Sequence, residues 1–146
     1  MKISVTNGGT MELMETTDAW QTYQVMSNEL STPKILFCPA DVEHHMYATN
    51  FGGDLKDKIS YFIGLDAGTN APKSFLAGDD NLAVAGQPVK PGMINLVSNG
   101  PITWTATRHY LFGNNLLFSD GRVWHTQNLA TNLTQTGLAT NRLAIP

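Results

Sequence analysis

One cysteine, four histidines and several closely spaced acids are the residues of this 146-residue chain whose types could support chemistry. Cys38 is the single cysteine, so no disulfide can form within the chain. It lies in the apolar run Ile35-Leu36-Phe37-Cys38-Pro39, where a buried, inert thiol is the plain reading. A nucleophilic thiol needs a histidine base close in space, and His44 and His45 are the nearest along the chain. With Asp41 and Glu43 they also carry atoms that bind zinc. Adjacent residues on one loop rarely aim at one ion, and the spacing matches no zinc pattern, so a solvated loop is expected.

The other acids, Asp54 and Asp57, Asp66, and Asp79-Asp80 with Asn81, are of the type that calcium uses. Calcium takes about six to eight oxygens, and the Asp-x-Asp-x-Asp-Gly order of an EF-hand is absent. No cofactor is expected, calcium being the one ion these loops could serve. His109 with Asp120-Gly121 offers a His–Asp pair, yet no Gly-x-Ser-x-Gly elbow supplies a nucleophile. A phosphate loop, a dinucleotide fingerprint and His-Glu-x-x-His are likewise missing from the sequence. Catalysis therefore has no anchor, and neither a catalytic residue nor a metal ligand is assigned.

The elements that must position these residues start with an irregular lead-in over the first fifteen positions. Ala19, Tyr23, Met26 and Leu30 then recur at helical spacing, predicting a helix that Thr17 or Asp18 caps, with Gln21 completing a capping box. Ser31-Thr32-Pro33 ends it. A short strand is expected at 35–38, a long polar loop at 41–58, and strands at 59–65, 74–77, 81–85 and 93–97. The strict alternation of 102–107 should turn Ile102, Trp104 and Ala106 to a core.

Asp120-Gly121 predicts a type I′ hairpin that pairs Ser119 with Arg122, Phe118 with Val123, Leu117 with Trp124 and Leu116 with His125. Both its faces carry apolar groups, so it should be covered twice or meet a partner. A short helix over 129–136, capped by Asn128 and ended by Gly137, precedes an apolar tail that should dock. Helix, antiparallel strands and a small terminal helix make an α+β domain spanning 1–146.

Composition narrows the function classes. Charged residues are 14% of the chain, below the roughly 25% usual for a domain, while asparagine and threonine number 12 and 16. A net charge of −3 leaves no basic footprint for a nucleic acid. The sequence contains no apolar run of membrane-spanning length.

The segment from Trp104 to Pro146 resembles the C-terminal region of bacterial prepilin-type proteins, relatives of type IV pilins and type II secretion pseudopilins. In one branch a His is followed about nine residues later by Asp-Gly, within a Gly-Asn-apolar run that ends in an Asp-Gly hairpin. Here the matching residues are Trp104, His109, Gly113-Asn114-Asn115, Leu116-Leu117-Phe118, Asp120-Gly121 and Val123. Ten residues separate His109 from Asp120, so one residue is inserted, most simply within Phe112-Gly113-Asn114. Cys38-Pro39-Ala40-Asp41, the 59–65 run, Gly78-Asp79-Asp80-Asn81-Leu82 and the ending from Thr136 also resemble that branch.

The resemblance implies a pilin-like head, with an N-terminal helix packed on an antiparallel sheet and a C-terminal Asp-Gly hairpin. It implies a structural subunit rather than an enzyme, working through contacts with other pilin-like subunits and secretion machinery. Such proteins begin with a basic leader and a hydrophobic helix, so the chain is expected to be the head without that helix, which would be its one link to the membrane. The expected location is the bacterial cell envelope, with the head periplasmic or surface-exposed and anchored in the inner membrane before assembly. His109, Asn115, Asp120 and Gly121 are the motif positions, expected to set the hairpin and its contact surface. The competing reading is an extracytoplasmic binding module for a glycan or other exported ligand, with Trp104 and Trp124 as the contact candidates. A metal hydrolase would need His44 or His45 to meet His109 or His125.

Overall fold

The computed structural model describes residues 3–15, 18–44, 46–109 and 113–146. Thr17, His45 and Phe112, named above, lie outside the described residues. Among the described residues two sheets and three short α-helices make a mixed α+β domain, with every named strand pair antiparallel.

The helices are α1 (Ala19–Val25), α2 (Ser27–Leu30) and α3 (Leu129–Gln135). The strands are β1 (Tyr61–Gly64), β2 (Phe75–Asp79), β3 (Leu82–Val84), β4 (Gln87–Pro88), β5 (Gly92–Val97), β6 (Ile102–Trp104), β7 (Asn114–Phe118), β8 (Val123–Thr126) and β9 (Thr140–Ile145). Six strands form the large sheet, in the order β5-β9-β1-β2-β7-β8. A small sheet, β4-β3-β6, stands apart from it.

Strand periodicity explains how the large sheet is covered. Phe62 and Ile63 are neighbours on β1 and therefore point to opposite faces. Phe62 joins Phe75, Leu116, Phe118, Leu143 and Ile145 in a core that Leu82 and Ile102 of the small sheet and Leu129 and Leu133 of α3 complete. Ile63 joins Leu65, Ala144, Ala19, Tyr23, Leu36, Leu55 and Ile59 in a second core on the other face. Each buried Leu, Ile or Phe contributes roughly 1.5–3 kcal/mol.

Several local expectations are corrected. Among the described residues no N-terminal helix lies along the sheet: the 19–30 periodicity is split at Met26 into α1 and α2, seven and four residues long. Thr22, Tyr23, Val25, Ser27 and Asn28 are weak helix formers, and packing of Ala19 and Tyr23 sustains only two turns. The capping box does not form either, because Gln21 Nε2 donates to the Asp18 carboxylate at 3.3 Å and Asp18 makes no side-chain cap. The strand expected at 35–38 is a 3-10 turn, Pro33–Leu36, which Pro33 opens and Thr32 Oγ1 caps by accepting from the Lys34 amide. In the 102–107 segment β6 stops at Trp104, and Ala106 is exposed. There Asn81 Nδ2 takes the Thr105 carbonyl at 3.0 Å. The expected strands at 59–65, 74–77, 81–85 and 93–97 are present as β1, β2, β3 and β5. The tail does more than dock: β9 is an inner strand between β5 and β1.

The hairpin of β7 and β8 forms in a register one residue away from the expected one. Leu117 faces Val123, Leu116 faces Trp124 and Asn115 faces His125. Gly121 takes a positive φ of 85° while Asp120 does not, which excludes type I′. Phe118 and Arg122 instead close a three-residue loop, the Phe118 amide donating to the Arg122 carbonyl at 2.9 Å. The one-residue slip exchanges the faces. Trp124 now lies with Leu116 and Phe118, edge-on to the Phe118 ring at 5.6 Å, and Val123 and His125 turn outward. Type I′ geometry occurs in the β3–β4 turn, where Ala85 and Gly86 have φ of 51° and 77°.

Candidate functional site

Three donors that sequence spacing could not connect meet where the second core abuts β2. Cys38 follows the Pro33–Leu36 turn, and its amide donates to Ser60 Oγ at 2.9 Å. Asp79 closes β2, and His109 follows β6 with a φ of 44°, an uncommon value for a residue with a side chain. Cys38 Sγ lies 3.3 Å from His109 Nε2. With one carboxylate oxygen of Asp79, these atoms all fall within 4.8 Å of one another.

Asp79 is fully buried, 0% exposed. Its Oδ2 accepts from the Asn115 amide at 2.7 Å and from Asn115 Nδ2 at 3.4 Å. Its Oδ1 is buried with no hydrogen-bond partner. Burial pushes the Asp79 carboxyl above its ordinary value, against the Asn115 amide and the charges of His109 and Arg108. Tyr61 is pushed up to about 12, by burial first and then by the neighbouring Cys38 and Asp79.

A buried ionic network is built around Arg108, the residue before His109. The Arg108 side chain is enclosed, 2% exposed as a residue. Its Nη1 donates to the Ser60 carbonyl at 2.8 Å and to Asp80 Oδ1, and its Nη2 makes an ionic contact with Asp41 Oδ2 at 2.6 Å. Asp41 is not the solvated loop acid expected from the sequence, being buried beneath Arg108. Its Oδ2 also accepts from Ser60 Oγ at 2.6 Å and contacts His44 Nδ1 at 2.7 Å, while Oδ1 accepts from the Glu43 and His44 amides. Burial works to raise Asp41, but the Ser60 and His44 hydrogen bonds and the Arg108 charge together hold it below the ordinary carboxylate range. Burial pushes Asp80 up to about 6 against the Arg108 charge.

A cleft of about 310 Å³ opens beside His109, with Trp104, Arg108, Gly113, Asn114 and Gln127 among its walls. Asn114 Oδ1 is a second buried oxygen without a partner. Gly113 is needed where it stands, since φ is 84° and an added Cβ would sit 2.6 Å from the Thr126 carbonyl oxygen.

The motif positions separate into two groups. His109 and Asn115 converge on Asp79, His109 as a nearby donor and Asn115 by direct hydrogen bonds. Asp120 and Gly121 stay in the turn, where Asp120 accepts from the Arg122 amide at 3.1 Å and from Arg122 Nε at 2.8 Å. His125 contacts Asn115 Oδ1 at 3.1 Å, and His44 is engaged by Asp41. Trp104 belongs to the small sheet and packs against the first core, whereas Trp124 is in the large sheet, 37% exposed, with the Arg122 guanidinium over it. The other acids are held separately, Asp54 by Thr49 and Lys58 and Asp66 by Arg142.

Chemically, the three donors could act as a thiol–imidazole pair or as metal ligands. A nucleophilic pair needs its base oriented by a third group. Among the hydrogen bonds of the described residues, none joins His109 to Asp79, so that relay is not assembled. Sequence reading missed the set because it looked for the partner of Cys38 six or seven residues away, and the fold supplies one 71 residues away.

Comparison with known proteins finds no matching family model, curated protein or solved structure. Among the described residues, no helix is long and apolar enough to cross a membrane.

Proposed function

We propose that the chain is the head of a pilin-like filament subunit, which works through contacts between subunits in a type II secretion pseudopilus or a type IV pilus-like fibre. The observation that carries this reading is the outer face and free edge of the β7–β8 hairpin. β8 ends the large sheet, so among the described residues no strand pairs with its outer side. On the outer face Leu117 and Val123 form a cross-strand apolar pair, and Val123 is 63% exposed. A monomer that meets nothing there leaves Val123 mostly in water and gains only the small cross-strand contribution of the pair. A neighbouring subunit would bury the pair and accept the edge hydrogen bonds. Low overall charge suits a head that must lie against like heads, since few charges need to be desolvated.

Sedimentation velocity over a range of concentrations tests this. The chain should associate reversibly, and Val123→Lys should hold it monomeric with an unchanged circular-dichroism spectrum. A wild-type chain that stays monomeric at millimolar concentration, or a variant that associates as well as wild type, contradicts the proposed surface.

A further inference from the structure

We infer that Cys38, Asp79 and His109 form a binding site for one zinc-class divalent ion, with its open coordination position toward the cleft beside His109. This inference is independent of the filament reading, because it concerns the interior of a single chain.

Distance is the first argument. Zinc lies about 2.3 Å from a cysteine sulfur and about 2.0 Å from an imidazole nitrogen, which places two such donors roughly 3.5 Å apart in a tetrahedral shell. Cys38 Sγ and His109 Nε2 are 3.3 Å apart. One Asp79 carboxylate oxygen is within 4.8 Å of both.

The second argument is independent of that spacing. Asp79 is wholly buried, and its Oδ1 has no hydrogen-bond partner while Asn115 holds Oδ2. A buried carboxylate oxygen left unsatisfied is costly, and native structures rarely keep one without a reason. An ion among these donors removes that cost. The charges also balance: thiolate, carboxylate and neutral imidazole sum to −2 against a divalent ion, and binding releases the thiol proton.

Donor softness selects the ion. Thiolate and imidazole favour zinc or cobalt over magnesium and calcium, which prefer all-oxygen shells. Supporting contacts of the kind that fix metal ligands are already in place. Asn115 orients Asp79, and Ser60 holds the Cys38 backbone. Three protein ligands leave a fourth position for water. His109 and Asn114 line the same cleft, and the unpartnered Asn114 Oδ1 is an acceptor such a water could use.

Cobalt(II) titration of the untagged, chelator-treated chain tests the site, followed by displacement with zinc. One equivalent of cobalt should bind with a thiolate-to-cobalt charge-transfer absorption, and zinc should abolish it. Cys38→Ser should lose the absorption. Asp79→Asn and His109→Gln should weaken zinc by more than the ~10–100-fold that loss of an outer-shell partner causes. Asp54→Asn, a change in the separate Thr49–Lys58 contact, should bind as wild type does. The wild-type titration is decisive even if Cys38→Ser fails to fold. No stoichiometric cobalt, or an absorption that survives in a folded Cys38→Ser, overturns the inference.

Discussion

Asp80 illustrates how burial and pairing compete on one side chain. It is 8% exposed and lies against Arg108, yet burial wins and holds its proton up to about pH 6. The folded state therefore binds this proton more tightly than the unfolded chain, whose carboxyl titrates near 3.8. Its contribution is most favourable below about pH 4 and falls as pH rises through about 6. The full swing is about 2–3 kcal/mol. Asp41 has the opposite sign: its folded value is depressed, so its stabilisation is present above its unfolded value and lost as pH falls through the folded one. Urea melts between about pH 4.5 and 7.5 sample the Asp80 window alone of these two. Wild type should be less stable at the upper end, and Asp80→Asn should flatten most of that fall. Asp79, also raised, leaves a residual slope in the variant. A wild-type chain that gains stability across this interval would refute the assignment.

Where two strands approach with no room for a side chain, sequence and packing are tied at a single position. Gly64 ends β1 opposite Leu143 of β9, and a Cβ there would collide with the Phe75 carbonyl oxygen of β2. Gly64→Ala must push β2 away from β1 and should lower stability by about 1–3 kcal/mol or more. A urea midpoint unchanged in that variant would contradict the register of β1 and β2.

The same dependence on close contacts explains what could be read before the fold was known. Strand positions followed from β-branched and aromatic runs such as 59–65, whose pattern is local. The α3 cap was readable too, because Asn128 Oδ1 accepts from the Thr131 amide within four residues. The register of β7–β8 was not, because Asp-Gly fits both a two-residue and a three-residue loop. The two differ in whether Trp124 or Val123 shares the face of Leu116 and Phe118, and in the fold it is Trp124, edge-on to the Phe118 ring. The 35–38 segment reads as a strand by composition, but no partner strand reaches it and Pro33 starts a turn instead. Cys38 and His109 look unrelated in sequence, and it is the packing of the 36–41 segment against Ser60 and Arg108 that joins them.

The whole chain has two ends of different character. The β5–β9–β1 side of the sheet is covered on both faces by the two cores, through Leu96, Leu143 and Ile145 on one face and Ile63 and Ala144 on the other. The β7–β8 side is covered on one face only, and its outer face presents Asn115, Leu117, Val123 and His125. Among the described residues β5 is the sheet's other edge, with Met93 and Val97 exposed, and at the β7 end Asn115 links interior to outer face by holding Asp79 inside and His125 outside. Immunogold electron microscopy of cells that make the protein, with an antibody to this chain, tests the filament account most directly. Gold should decorate surface or periplasmic fibres along their length, and both gene deletion and Val123→Lys should remove those fibres. Fibres that persist unlabelled and unchanged after deletion would contradict it.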